Sequence, residues 1–334
     1  MIRIWKQREQ QGLVQSAILE KNCWIEVTKP DSLEIETLER EYGIERDFIG
    51  DVLDADERPR SERENGTELI IFRVPVYDPE REVPYFTVPL GVVLARELII
   101  TICSVETDLV GDFRNNRVKS IAFHNFHHFL LQLFLRGIMY YLKYLKEINR
   151  QTSIIERDLQ QSVRNTELIR LLTLEKSLVY FTTSLRANEL LVQRLQRRNA
   201  FQENEAIIDL AEDVVTENRQ AIEMANVYSN ILSGMMDAFA SVISNNLNVV
   251  MKRLTMISII LMIPTLFASL YGMNIQLPWQ GSPYAFFGIV GVSLLFAVLG
   301  TLLFMKNNIR SRRKRLPERS EEHTSELQSL LIIS

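Results

Sequence analysis

The sequence predicts an α+β membrane protein with an N-terminal cytoplasmic α/β domain, a long helical stalk and two C-terminal transmembrane helices. Three observations predict it. Residues 254–305 run for 52 positions without Asp, Glu, Lys, Arg or His. The first 120 or so residues carry β-branched apolar runs bounded by Pro, Gly and Asp, the pattern of a small α/β domain. From Phe123 to Leu254 there is no Pro, Gly occurs only at 137 and 234, and apolar residues recur three and four apart, as in long amphipathic helices.

Domain by domain, residues 1–122 are expected to form the α/β domain. Its strand candidates are "IRIW", "CWIEV", "ELIIFRVPVY", "FTVPLGVVLA" and "LIITICS", and Asp31-Ser32-Leu33-Glu34 has the form of a capped helix start. Residues 123–250 are expected to be long helices, the last continuing unbroken into the membrane. Leu254–Tyr271 (18 residues) and Ala285–Met305 (21 residues) are each long enough to cross a bilayer, which takes roughly 20 residues of helix. The expected divisions are therefore a first span at 251–271, an external loop at 272–284, a second span at 285–305 and a basic tail at 306–317.

Charge sets the expected orientation. Residues 1–250 hold 29 of the 38 basic and 38 of the 42 acidic residues, which is 29 − 38 = −9. Residues 251–315 hold eight basic residues and no acidic one. Lys252 and Arg253 precede the first span, while Lys306, Arg310, Arg312, Arg313, Lys314 and Arg315 follow the second. Basic ends and an uncharged loop place both termini on the cytoplasmic face of the plasma membrane by the positive-inside rule. The layout argues against a nucleic-acid partner. "MIRIWKQREQQG" lacks a signal-peptide core, so the first 250 residues are expected in the cytoplasm. Cys23 and Cys103 are expected to be reduced structural thiols. His124, His127 and His128 have the spacing of a helix face suited to a metal, but their aromatic surroundings favour packing. No triad or phosphate-binding Gly loop points to an enzyme or a nucleotide.

Within the first span the polar residues fall in line. Asn248, Met251, Thr255, Ser258, Met262, Thr265 and Ser269 follow one another at spacings of 3, 4, 3, 4, 3 and 4, and the same register runs back through Ser244 and Ser241 to Asp237. A helix–helix seam of small hydroxylated residues is one reading. A wet pore lining is the other, and two spans per chain are too few to enclose a pore without a homo-oligomer.

The stripe ends at Tyr271-Gly272-Met273-Asn274. With that motif closing the first of two C-terminal spans, with "DAFASVISNNLNVVMKRLT" upstream, and with "CWIEVTKPD" and "YGIERDFIGDVLDADERPR" near the N-terminus, the chain resembles the CorA family of divalent-cation channels over about residues 1–315. The resemblance implies a homopentamer with a cytoplasmic α/β/α funnel and a stalk helix lining a central pore for Mg2+, and also Co2+ and Ni2+. It implies that Gly272, Met273 and Asn274 form the outer selectivity filter. Asn248, Met251, Leu254, Met262 and Thr265 match pore-lining positions, and Asp237 matches an acidic ring in the stalk. Asp51 and Asp213 match the pair that holds a regulatory Mg2+ between subunits, although both also read as ordinary surface acids. The basic residues 306–315 match a ring at the inner mouth, and equally suit anchoring to anionic membrane lipid.

One feature departs from the family. Many members carry an acidic residue soon after the motif, whereas this loop reads "IQLPWQGSPY". Cation attraction by loop charge is therefore not expected, and a ZntB-like zinc transporter of the same architecture stays as an alternative. A non-conducting helical scaffold is the alternative from another class. Residues 318–334 resemble translated sequencing-adapter read-through, and carry no part of the functional reading.

Overall fold

The computed structural model describes residues 1–8, 12–20, 23–95, 98–118, 121, 123, 125–161, 165–273 and 284–314. In chain order its elements are strands β1 (Ile2–Arg8), β2 (Gly12–Ser16) and β3 (Cys23–Thr28), then helices α1 (Ser32–Arg40) and α2 (Arg46–Leu53). Strands β4 (Arg60–Glu64), β5 (Thr67–Tyr77), β6 (Tyr85–Ala95) and β7 (Leu98–Cys103) follow. Helices α3 (Asp108–Arg114), α4 (Phe126–Gln161), α5 (Asn165–Arg197), α6 (Glu205–Tyr271) and α7 (Ala285–Lys314) complete the chain.

The strands form one sheet in the order β2-β1-β3-β7-β6-β5-β4. Only β3 and β7 run parallel, with Trp24 opposite Ile99 and Val27 opposite Ile102. Side chains alternate between the two faces of a strand, and here both faces are apolar. Ile25, Val27, Leu69, Ile71, Val93, Ile100 and Ile102 pack with Leu38, Ile44, Phe48, Ile49 and Val52 of the α1–α2 segment. Their neighbours Trp24, Ile70, Phe72, Val74, Val92 and Ile99 pack with Phe113, Phe129, Phe134, Tyr141 and Phe181 of α3, α4 and α5. Burial on both faces gives three layers, α/β/α.

Local chemistry explains the fixed points. Asp31 caps α1: its carboxylate accepts from the Glu34 amide at 2.8 Å, and the Glu34 carboxylate accepts from the Asp31 amide at 3.1 Å. Asn65 and Gly66 turn β4 into β5 with φ of 48° and 83°, the left-handed pair that a two-residue hairpin needs. Gly91 lets α2 lie directly on β6, because a methyl group there would overlap the buried Val52 side chain. Gly91→Ala is expected to cost about 1–3 kcal/mol by overpacking, read as a lower denaturant midpoint with an unchanged slope.

The chain falls into two compact units, Met1–Ala240 and Ser241 onward. No break separates the units at the expected 122/123 boundary. The second sheet face needs a cover, which α4 and α5 supply, and Ile207, Ala211, Val214, Ala221, Ala225, Leu232 and Phe239 of α6 join the same core. As expected, residues 251–271 are the end of a long helix that continues unbroken from the first unit, α6, which runs through Pro264. Helix α7 continues past 305 to Lys314. Residues 315–334, including Arg315 and the suspect tail, lie outside the described residues. Cys23 and Cys103 are free and buried, and burial pushes the Cys103 thiol up to about 11.

Candidate functional site

The second unit pairs the end of α6 with α7. Phe267 stacks on Phe296 with ring centroids 5.9 Å apart, and Pro264, Ala268 and Gly272 line a crevice with Phe286, Val290 and the buried Ser293. Within residues 251–271 of α6, those partly shielded from solvent are Met256, Ile260, Ile263, Pro264 and Phe267. At about 100° per residue these lie on roughly the opposite side of the helix from the polar stripe. Ser241, Ser244, Asn248, Met251, Leu254, Thr255, Ser258, Met262, Thr265 and Ser269 are all exposed, and so is Asp237 in the first unit. The stripe is therefore not the surface α6 uses to pack against α7.

Each stripe hydroxyl with a described partner donates to the carbonyl one turn back. Thr255 bonds Met251 at 2.9 Å, Ser258 bonds Leu254 at 3.0 Å and Thr265 bonds Leu261 at 3.0 Å. Such back-bonding satisfies a hydroxyl proton without a partner from another helix. At the C-terminal end of α6 the Gly272 amide reaches the Ala268 carbonyl at 3.0 Å, and the Met273 amide reaches that of Leu270 at 3.4 Å, so the helix closes on the motif. Gly272 and Met273 are exposed. Asn274 and the rest of the loop to 283 lie outside the described residues.

The two carboxylates matched to a regulatory site sit on different elements of the first unit. Asp51 lies on α2, partly exposed, with Oδ2 2.5 Å from Nη2 of Arg60. Asp213 lies on the solvent face of α6. Among the described residues no three His, Cys, Asp or Glu side chains converge as a metal site. Oxygen donors suit a hard cation such as Mg2+, and these two carboxylates stand on separate elements, α2 and α6. Of the three histidines, His124 lies outside the described residues. His127 packs edge-on against Phe126 and Phe201 and bonds Glu203, a structural role.

The family described as CorA-like Mg2+ transporter protein matches residues 20–313. The chain belongs to that family. It is 27% identical over 289 residues to the cobalt/magnesium transport protein CorA of Methanocaldococcus jannaschii, covering 85% of this chain and 90% of that one. The complete structure of the CorA magnesium transporter from the same organism superposes with a TM-score of 0.77 at 23% identity, covering 91% of this chain and 97% of that one. The ZntB cytoplasmic domain from Vibrio parahaemolyticus gives 0.53 at 13% identity, covering 74% of this chain and 97% of that one. At such identities the superpositions speak to fold alone.

A CorA-family fold thus accounts for the α/β/α unit, and for a helix long and apolar enough to cross a membrane, found within Glu205–Leu270. Residues Phe286–Leu302 form a shorter described apolar helix. The backbone of α7 carries Lys306, Arg310, Arg312, Arg313 and Lys314 in its last turns. Two polar features of this CorA chain escaped sequence reasoning. Arg60 bonds Asp51, Glu57 and Glu62 at once. Asp112, buried on α3, accepts from Tyr140 at 2.6 Å, Arg136 Nε at 2.9 Å and Arg117 at 3.1 Å. The "RPRSERE" run carried a usable signal for the first, alternating charge on a short edge strand. For Asp112 only Arg117 lies nearby in the chain, and the other two partners, Arg136 and Tyr140, come from α4.

Proposed function

We propose that this chain forms a homopentameric, channel-type transporter that admits Mg2+, and also Co2+ and Ni2+, passively across the plasma membrane. The observation that carries the reading is the stripe from Asp237 to Ser269, exposed on each chain, whose part from Met251 to Ser269 is turned away from α7. In an oligomer gathered around α6 this stripe lines the path. Residues 251–271 and 285–305 are the spans, with both termini in the cytoplasm and 272–284 outside.

Mg2+ surrenders its water slowly and takes oxygen ligands. Asn248, Thr255, Ser258, Thr265 and Ser269 offer neutral oxygens to a hydrated ion, while Met251, Leu254 and Met262 narrow the path with apolar side chains that oppose wetting. Gly272, Met273 and Asn274 form the outer filter. The end of α6 adds attraction without a charged side chain, because its last carbonyls carry the negative end of the helix dipole. Membrane potential supplies about 2.3 kcal/mol per charge per 100 mV, hence roughly 4.6 for a divalent ion, so no nucleotide is needed. Cytosolic Mg2+ held between Asp51 of one copy and Asp213 of the next favours the closed, symmetric state, since an ion shifts an equilibrium toward the state it binds better. The basic residues 306–315 meet the inner mouth and the lipid headgroups.

Uptake by liposomes containing the protein, with Mg2+, Co2+, Ni2+ and Zn2+ supplied in turn, tests this. Mg2+ and Co2+ entry that follows an inside-negative potential and falls at least about tenfold in Asn274→Ala is the expected result. Wild-type liposomes that pass no divalent ion would sink the channel reading. Entry of Zn2+ alone would favour the zinc transporter instead.

A further inference from the structure

Resting on the reading that Asp51 and Asp213 share a regulatory Mg2+, we infer that Arg60 is a tethered rival of that ion which sets the Mg2+ concentration at which the site fills. The guanidinium of Arg60 is fully committed to acids. Nε stands 3.0 Å from Oε1 of Glu57, Nη2 stands 2.5 Å from Oδ2 of Asp51, and Nη1 bonds Glu62. Three carboxylates and one guanidinium leave this patch at −2. Arg60 cannot give up its proton in the physiological range, so the positive charge stays opposite Asp51 whenever no other cation takes its place.

The position of Arg60 is built in. It opens the edge strand β4, directly after the 54–59 segment. Arg73 pins that segment through Nη1, which donates to the carbonyls of Ala55 and Glu57 at 2.9 Å each. The remaining guanidinium donors of Arg73 go to Thr87, at 3.1 Å and 2.8 Å. Arg60 thus sits beside Asp51 as part of the fold, whereas a mobile counter-ion would come and go with the medium.

Such a charge has two effects on an incoming divalent ion. Mg2+ bound through its water shell responds mainly to the local field, and Arg60 cancels one of the negative charges that create it. The guanidinium also occupies an oxygen that the shell would otherwise use. Displacement is still feasible. The Arg60 side chain is 30% exposed, and exposed pairs are individually weak. Once released from Asp51, Arg60 keeps Glu57 and Glu62, so the exchange leaves no charge unpaired. With Mg2+ absent, Arg60 screens Asp51 from acids on the neighbouring copy and limits their repulsion. The rival charge therefore raises the filling concentration without abolishing binding.

The test is thermal unfolding of the full-length detergent-solubilised protein as MgCl2 is titrated, in wild type, Arg60→Gln, Arg60→Lys, Asp51→Asn and the Arg60→Gln/Asp51→Asn pair. Arg60→Gln is expected to lower the half-saturating Mg2+ about fivefold, the effect of a single weak surface charge interaction. Arg60→Lys keeps the charge and is expected within about twofold of wild type, which separates rivalry from simple loss of structure. Asp51→Asn is expected to raise the half-saturating Mg2+ at least about tenfold. The double variant should then match Asp51→Asn, because nothing remains for Arg60 to contest. An unchanged or higher midpoint in Arg60→Gln, with Asp51→Asn still weakened, overturns the rival role and leaves the shared site standing. Unchanged midpoints in Asp51→Asn and a matching Asp213→Asn overturn both.

Discussion

A positive charge fixed at residue 265 is expected to stop divalent flux. Thr265→Cys in liposomes should conduct like wild type until a cationic methanethiosulfonate reagent is added, and then lose at least about a hundredfold of its Mg2+ or Co2+ uptake. The size follows from Coulomb's law: a fixed unit charge about 6 Å from a divalent ion, at an effective dielectric constant of about 20, repels it by about 5 kcal/mol. The native thiols do not confuse the result, because Cys23 and Cys103 are buried in the first unit and burial keeps the Cys103 thiol protonated. Ile263→Cys, on the side that faces α7 and Gly300, serves as the comparison. If modified Thr265→Cys conducts undiminished, the stripe does not line the path, and the helix-seam reading of the same residues takes over.

Removing the buried carboxylate of Asp112 should cost the first unit more than any other single polar change. Asp112→Ala strips Arg136 and Tyr140 of their common acceptor on α3, a helix whose residues Leu109 to Phe113 are buried. Breaking a buried pair by deleting one partner costs about 3–5 kcal/mol. Arg117 and Arg136 keep access to water here, so about 3 kcal/mol is the better expectation. In a unit of this size that lowers the melting temperature by roughly 6–12 °C. The same cluster predicts a pH dependence. Burial works to raise the Asp112 pKa, but bonds from Tyr140, Arg136 and Arg117 outweigh it and hold the carboxyl below its usual value of 3.8. A folded pKa below the unfolded one means that the stabilisation is fully present above about pH 4. It is lost as pH falls through the folded value. Wild type should therefore lose stability faster than Asp112→Asn on acidification below pH 4, while the difference between them stays flat from pH 5 to 8.

What was legible in the sequence was whatever repeats or caps locally. Five strands announced themselves as β-branched runs, and Asp31 to Glu34 gave its helix start because both halves of the capping box lie within four residues. Strand β2 is short, and β4 reads "RSERE", whose charged side chains suit a sheet edge but give no apolar alternation. The Asn65-Gly66 pair was the signal that could have found β4. The stripe was legible because helical periodicity is a local property, and its exposure in the structure adds which way it does not face. Polar groups joined across long sequence separations stayed hidden: Asp112 meets Tyr140 and Arg136 on a helix some 25 residues on, and Arg73 is met by Asn188 of α5. The expected division at 122 does not coincide with the break between compact units, which falls after Ala240, for a related reason. Periodicity separates helices from strands, but only packing shows that α4 and α5 are the roof of the same sheet.

The back-bonded hydroxyls of α6 give the stripe a polarity that its uncharged composition conceals. Thr255, Ser258 and Thr265 each spend their only proton on their own helix. What they present outward is lone pairs alone, and Ser269 lies in the same line. A hydrated cation points its water hydrogens outward, and finds acceptors along such a surface. A hydrated anion points water lone pairs outward, and finds no hydroxyl donor among these three. In the proposed pore, the direction of three intrahelical hydrogen bonds would favour cations over anions along a stretch that holds no charge.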